Sequence, residues 1–351
     1  MVSDTYMSFL VGIFCFALAS SVTAIIVKIA YKTQFLDRPI DRSAHTIPTP
    51  TGGGLALVLP YAVVLFLLYE IELLDKDELI ALSAAFLIAL LGLVDDIKAI
   101  DFRVRLSAQV IFGLAALLML LPIAPIQIGA YSFSGEITLF ILAFTSLIWI
   151  TNLYNFMDGI DGLAVSELIF ISSAVVYFST YEGDLKLQII SVSLLFSGIA
   201  FGLWNWAPAK IFLGDLGSGF IGFVLGILAL ISLRTGTISV WTWLLLTGVF
   251  ACDATMTLII RLVSRLSVHE GHASHAYQIL AHKLSSHSSV VILLMLVNIA
   301  WLFPLAVFSH FRPDFAATLA LLGLFPLALL VCYLELKHPR GFSSERKVTP
   351  N

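Results

Sequence analysis

Apolar runs of roughly membrane-spanning length recur eleven times along this chain, and few folds accept such a sequence. They cover Met7–Tyr31, Gly53–Ile71, Leu79–Val94, Leu106–Leu121, Ile137–Ile150, Leu163–Tyr181, Leu187–Trp206, Gly217–Leu233, Ser239–Val263, Val290–His310 and Phe315–Leu336. A bilayer span takes about 20 apolar residues, so the shorter runs are expected to extend into their flanking polar segments. In hydrocarbon every backbone N–H and C=O must find its partner within the segment, which makes each run a helix. Composition agrees: 59% of residues are hydrophobic and 12% charged, against about 25% charged in a soluble domain. The expected fold class is an all-α polytopic membrane protein of about eleven transmembrane helices. Residues 1–336 form one integral-membrane domain, followed by a short basic tail, 337–351. The start, MVSDTYMSFLVG, has no basic flank and reads as a retained helix rather than a cleaved signal. Cys15, Cys252 and Cys332 lie inside apolar runs, at spacings that suit neither a disulfide framework nor a metal cluster.

An odd number of spans puts the termini on opposite sides. Lys28, Lys32, Arg38, Arg42, Lys98, Arg103, Arg105, Lys210, Arg261, Arg265, Lys283, Lys337, Arg340, Arg346 and Lys347 fall on one side. Only Lys76, Lys186, Arg234 and Arg312 fall on the other. Basic loops stay cytoplasmic, so the N-terminus is expected outside and the C-terminal tail inside.

Five polar segments interrupt the apolar pattern, all on the expected cytoplasmic side: Asp37–Gly54, Gly92–Leu106, Asn152–Ala164, Ala209–Phe220 and Arg261–Gln278. Asp95 and Asp96 end one run. Adjacent carboxylates repel, so a metal ion, a cationic neighbour or a shared proton has to compensate, unless both are solvated at a helix end. Lys98, Arg103 and Arg105 are near enough in sequence to neutralise the pair or to bind phosphate. In NLYNFMDGIDGLA, the residues Asn152, Asn155 and Asp158 recur at steps of three and share one side of a helix. Their oxygens can converge on a hard cation or a sugar nucleotide. A polar helix terminus is the plainer reading. In IFLGDLGSGF, Asp215 sits between glycines just before a helix, as a cation ligand or as a cap. Phe212 beside it offers a face for a nucleobase, or merely a lipid contact. His269, His272 and His275 follow at steps of three. Without a nearby cysteine they suit an anionic substrate, with Arg261 and Arg265, better than zinc. His269, His282 and His287 read as solvated. Asp253 lies within a span, where a carboxylate is either functional or structurally paired.

DDIK, NLYNFMDGIDGLA and FLGDLGS, in this order and on one face, resemble the polyprenyl-phosphate N-acetylhexosamine-1-phosphate transferases. The resemblance runs from Asp37 to about Gln278. It implies transfer of a sugar 1-phosphate from a UDP-N-acetylhexosamine to undecaprenyl phosphate, with release of UMP and a need for Mg²⁺ or Mn²⁺. It implies Asp215 and Asn155 as metal ligands, and Asp95 and Asp96 as the catalytic acidic pair. Asn152, Asp158, Asp161, Phe212, Arg261, Arg265, His272 and His275 become substrate-binding residues. It further implies the bacterial inner membrane, a site facing the cytoplasm, room for a homodimer and no nucleic-acid partner. The sequence departs from the family's adjacent histidines, with Ser274 in HASHAYQ. That variant resembles the branch that starts O-antigen chains with FucNAc or QuiNAc, the alternative being a GlcNAc-specific initiating enzyme. A membrane transporter is the reading of another class. It would need polar groups near the midplane, and no inverted repeat is visible.

Overall fold

The computed structural model describes residues 2–34, 36–37, 48–266 and 274–338. In chain order its elements are α1 (Val2–Thr33), β1 (Leu36–Asp37), β2 (Thr49–Pro50), α2 (Leu55–Glu70), α3 (Lys76–Ile97), α4 (Phe102–Met119), β3 (Ile126–Ile128), β4 (Tyr131–Phe133), α5 (Glu136–Met157), α6 (Leu163–Glu182), α7 (Leu185–Asn205), α8 (Gly214–Thr235), α9 (Val240–Leu246), α10 (Gly248–Val263), α11 (Ala276–Leu284), α12 (His287–Val297), α13 (Phe303–Phe311) and α14 (Ala316–Lys337). The chain is a polytopic all-α membrane protein. Among the described residues nine helices are long and apolar enough to cross a bilayer, or ten if the bent pair α9–α10 is one span. The shorter apolar helix α2 adds a further element.

Every one of the eleven apolar runs lies on helix, and several helices reach past their runs as expected. Asp75 caps α3 by accepting the Glu78 amide at 2.8 Å, which starts that helix at Lys76 rather than Leu79. Asp101 does the same for α4 through the Arg103 amide at 2.8 Å. Two runs are not single straight helices. Ser239–Val263 breaks at Thr247 with an angle of 81° between α9 and α10. There a Cβ on Gly248 would lie 2.7 Å from Leu324, so the second half is held against the last span. Val290–His310 carries a π-helical turn at Asn298–Leu302 between α12 and α13. The loop from Pro122 to Glu136 holds the β3–β4 hairpin, pinned where Trp241 Nε1 donates to the Gln127 carbonyl at 2.6 Å.

Helix α8 is the centre of the bundle and is buried almost all round, as a helix apolar on every side must be. It packs against α3 and α5. Glycines set that approach. A Cβ on Gly222 would lie 2.6 Å from the Ile150 carbonyl oxygen, and one on Gly92 2.3 Å from that of Asp215. Small residues let helix backbones meet this closely without a hydrophobic drive.

The ends of the bundle differ in chemistry. At one end, α3 and α5 finish and α8 begins, bringing their polar motifs together. At the other end, Glu78 is 1% exposed and bonded to Lys186 Nζ at 2.5 Å and Arg234 Nη2 at 2.5 Å. Two of the four basic residues assigned to the outer side therefore share one carboxylate.

Candidate active site

Asp215 lies in the first turn of α8, and its two oxygens face different helices. Oδ1 accepts from Asn155 Nδ2, in the last turn of α5, at 2.5 Å. Oδ2 is 3.4 Å from Arg105 Nη1, in the first turn of α4. The same guanidinium nitrogen is 2.6 Å from Asp95 Oδ2, and Asp95 Oδ1 accepts the Ile100 amide at 2.7 Å. Four side chains from four helices thus meet through one arginine. A cleft opens beside them, lined by Gly92, Arg105, Gln109, Asn155, Asp215 and Gly219 among others. Lys98 and Arg103, the other cations of this segment, point outward and are exposed.

The acidic pair divides. Asp95 faces Arg105, which lines the cleft. Asp96 turns to the backbone, where its Oδ1 accepts the Asp215 amide at 2.9 Å and its Oδ2 the Leu216 amide at 3.2 Å. It caps α8 from another helix and satisfies donors that a helix start leaves unpaired. A Cβ on Gly214, whose φ is +77°, would lie 2.6 Å from Asp96 Oδ2, so the glycine before Asp215 makes room for the carboxylate.

The two asparagines also separate. Asn155 bonds Asp215 and, at 3.1 Å, Ser218 Oγ. Asn152 donates to Gln109 Oε1 at 2.7 Å and to the Ile148 carbonyl at 2.8 Å. One helical turn of separation puts Asn152 a layer deeper, where it ties α5 to α4. Asp158 ends α5. Burial, with the charges of Asp215, Asp96 and Asp161, pushes its carboxyl well above the usual carboxylate range. Asp161 Oδ2 accepts the Ala209 amide at 3.1 Å and lies 3.4 Å from His287 Nδ1. His287 is therefore paired rather than solvated. Phe212 is half-buried, and its backbone bridges the first polar loop: its amide donates to the Pro50 carbonyl at 2.8 Å, and its carbonyl accepts the Gly53 amide at 3.0 Å.

The histidine loop is only partly brought in. His272 lies outside the described residues. His275 is 4% exposed, with Nδ1 3.0 Å from Asp253 Oδ1, so it is buried against α10 rather than in the cleft. Asp253 is thereby placed in a structural pair, with a histidine as its partner. Arg261 reaches Ser274 Oγ at 3.2 Å. Arg265 is exposed, with φ +55° just after α10. Sequence reasoning passed over Gln109, Ser218 and Tyr277. Gln109 stands inside an apolar run and Tyr277 in a histidine-centred stretch, so only the fold brings them to the motifs, whereas Ser218 ends FLGDLGS and was overshadowed there by Asp215.

Among the described residues no three His, Cys, Asp or Glu side chains converge as a ready-made metal cage. The oxygens of Asp215, Asn155 and Asp95 are nonetheless the donor type that a hard divalent cation takes. Mg²⁺ in particular is held by one or two carboxylates together with substrate phosphates.

Residues 79–233 match the glycosyl transferase family 4 profile, a stretch that contains Asp95, Asn155, Phe212 and Asp215. Over that stretch the chain is similar to glycosyl transferase family 4. The chain is 27% identical over 283 residues to a probable undecaprenyl-phosphate N-acetylglucosaminyl 1-phosphate transferase of Bacillus subtilis (strain 168), covering 78% of each chain. It is 26% identical over 271 residues to the undecaprenyl-phosphate alpha-N-acetylglucosaminyl 1-phosphate transferase of Thermotoga maritima, covering 77% of this chain and 81% of that one. The phospho-N-acetylmuramoyl-pentapeptide-transferase of Prochlorococcus marinus (strain MIT 9301) is 30% identical over 233 residues, 60% of this chain and 62% of its own length. The family resemblance read from the motifs is therefore matched along most of the chain.

Proposed function

We propose that this protein transfers an N-acetylhexosamine 1-phosphate from a UDP-sugar to undecaprenyl phosphate, releasing UMP, at a site open to the cytoplasm. The observation that carries the reading is the meeting of Asp95, Arg105, Asn155 and Asp215 at one end of the bundle. That end is where a water-soluble nucleotide and a lipid-anchored phosphate both have access. It is also the end that carries most of the chain's basic loops, and basic loops are cytoplasmic.

The chemistry exchanges one phosphate linkage for another. An oxygen of the lipid phosphate attacks the sugar-bearing phosphorus of the donor, and the bond from that phosphorus to the UMP oxygen breaks. A divalent cation held by Asp215 and Asn155 would supply charge neutralisation for the pyrophosphate. Arg105 adds a fixed positive charge between Asp95 and Asp215, where phosphate oxygens have to approach one another. Asp95, oriented by the Ile100 amide and Arg105, is the acceptor for any residual proton on the lipid phosphate. Asp96 holds the Asp215 turn. Phe212, on the loop before α8, is the proposed face for uracil, with Asp158 and Asp161 on the nucleotide side. Arg261, Arg265 and His272 are assigned to further phosphate contacts.

For the sugar, the named relatives favour GlcNAc, whereas the HASHAYQ loop favours FucNAc or QuiNAc. We assign the 6-deoxy amino sugars, which would make the product the first lipid-linked unit of an O-antigen. Purified protein with undecaprenyl phosphate, Mg²⁺ and a panel of UDP-amino sugars tests both levels. UMP release is expected only when donor, acceptor and cation are all present. Faster release with UDP-GlcNAc than with UDP-FucNAc or UDP-QuiNAc would overturn the sugar assignment alone.

A further inference from the structure

Asp253 does more than pair with His275. It is 4% exposed within α10 and holds the start of α11, accepting the Ala276 amide at 3.1 Å on Oδ1 and the Tyr277 amide at 2.9 Å on Oδ2. The His275 ring at 3.0 Å and the Thr257 hydroxyl at 3.3 Å complete its shell. Thr257 also donates to Glu335, which is 3% exposed on α14. A carboxylate bonded to four groups thus fixes the start of α11 to α10, and Thr257 ties α10 to α14. A buried carboxylate of this kind is retained only when its bonds are met.

The residue held in this way is Tyr277, 1% exposed. Its hydroxyl donates to the Phe156 carbonyl at 3.0 Å, and the phenol oxygen lies against Gly159. A Cβ on Gly159 would lie 2.0 Å from that oxygen. Glycine at 159 is therefore required for the tyrosine to dock. Phe156 follows Asn155, whose amide is 2.5 Å from Asp215, and Gly159 follows Asp158. The phenol clasps the turn in which α5 ends, next to Asn155, which meets Asp215.

We propose that Asp253 and Tyr277 are positioning residues: together they form a strut that fixes the Asn155–Gly159 turn against Asp215 for the transfer reaction. The strut rests on the transferase reading above for its consequence, though not for its existence. It explains why HASHAYQ carries a tyrosine two residues after His275, and why a span-embedded aspartate is bonded to backbone amides rather than directed into the cleft.

The full-length protein in lipid nanodiscs tests this with Tyr277→Phe, which removes one oxygen, and with Asp253→Asn, the double variant and Gly159→Ala. Hydrogen exchange at the amides of residues 155–161 should quicken several-fold in each single variant. The Tyr277/Asp253 double variant should add little, because both changes break one strut. In UMP release, kcat should fall about tenfold, in line with the sensitivity of aligned reactions to small displacements. The KM for undecaprenyl phosphate should stay constant. Unaltered exchange in Tyr277→Phe overturns the strut. Faster exchange with an unaltered kcat overturns its positioning role. Absence of UMP release from the wild type defeats the transferase reading, and with it the positioning role, while exchange still decides the strut. If Asp253→Asn fails to fold, Tyr277→Phe and Gly159→Ala carry the test.

Discussion

Asp96 caps the helix that carries Asp215: its carboxylate accepts the Asp215 amide at 2.9 Å, across from the end of another helix. The neighbouring Asp95 faces Arg105 instead. Two adjacent aspartates thus have separate work, one holding a turn and one paired with the arginine that lines the cleft.

Replacing Asp96 should accordingly damage structure before chemistry. Asp96→Ala is expected to cost about 1 kcal/mol of stability, the usual loss of a helix cap, whereas Asp96→Asn, which keeps an acceptor, should retain more of both stability and turnover. Thermal unfolding in detergent, run beside UMP release, separates the two. Equal behaviour of Asn and Ala at 96 would argue against the capping role.

Asp215→Ala is expected to lower transfer by about 100-fold or more, the scale seen when a preorganised charge-stabilising group is removed, with the helix content of the protein intact. Mn²⁺ binding followed by electron paramagnetic resonance should weaken in parallel. A variant that retains wild-type Mn²⁺ affinity would remove Asp215 from the proposed ligand set.

Arg105 joins Asp95 and Asp215, so its removal should act in two directions. Without the guanidinium the carboxylates repel, and Arg105→Ala should bind Mn²⁺ more tightly than the wild type. Turnover should still fall about tenfold through the lost positive charge. Arg105→Lys, which keeps the positive charge on a differently shaped stem, should recover part of it. Weaker Mn²⁺ binding in Arg105→Ala would count against the bridging picture.

Asp158 offers a pH test. Its folded carboxyl titrates well above the usual range, chiefly through burial and then through Asp215, Asp96 and Asp161. Ionising it costs the folded state more than the unfolded one, so its penalty is absent at low pH. The penalty grows as pH rises from the unfolded value towards the folded one. Asp158→Asn should therefore raise the unfolding temperature, and by more at pH 8 than at pH 5. A gain that is the same at both values would show that charge is not the cause.

At the far end of the bundle, Glu78→Gln leaves Lys186 and Arg234 with half a partner. Breaking a buried ion pair of this kind costs about 3–5 kcal/mol, yet UMP release per folded molecule should stay near the wild-type rate. A turnover defect without a stability defect would mean that the two ends communicate.

Much of this architecture was legible because the bilayer makes hydropathy nearly decisive. All eleven apolar runs lie on helix, and their polar flanks joined the helices where Asp75 and Asp101 supply caps. The break at Thr247 was not legible, since the run from Ser239 to Val263 is apolar on both sides of it. Site residues with an uncommon local pattern, Asp95, Asn155 and Asp215, stood out and do meet. Their division of labour did not. Adjacent Asp95 and Asp96 look alike until the start of α8 is brought under one of them. Asn152 and Asn155 share one side of a helix, yet only Asn155 is level with Asp215. His275 stood out for its spacing, but its bonding partner Asp253 is 22 positions earlier on another helix, and no periodicity links the two.

Helix α3 carries the buried Glu78 near its start and Asp95 near its end, 22 residues overall. At about 1.5 Å per residue, it works as a ruler of about 33 Å laid across a hydrocarbon core of about 30 Å. The ion cluster sets one mark on that ruler and the cleft the other. Lipid thickness thereby becomes a setting of the enzyme: a thinner or thicker bilayer shifts the level at which a lipid-borne phosphate meets a group whose depth the protein has already fixed.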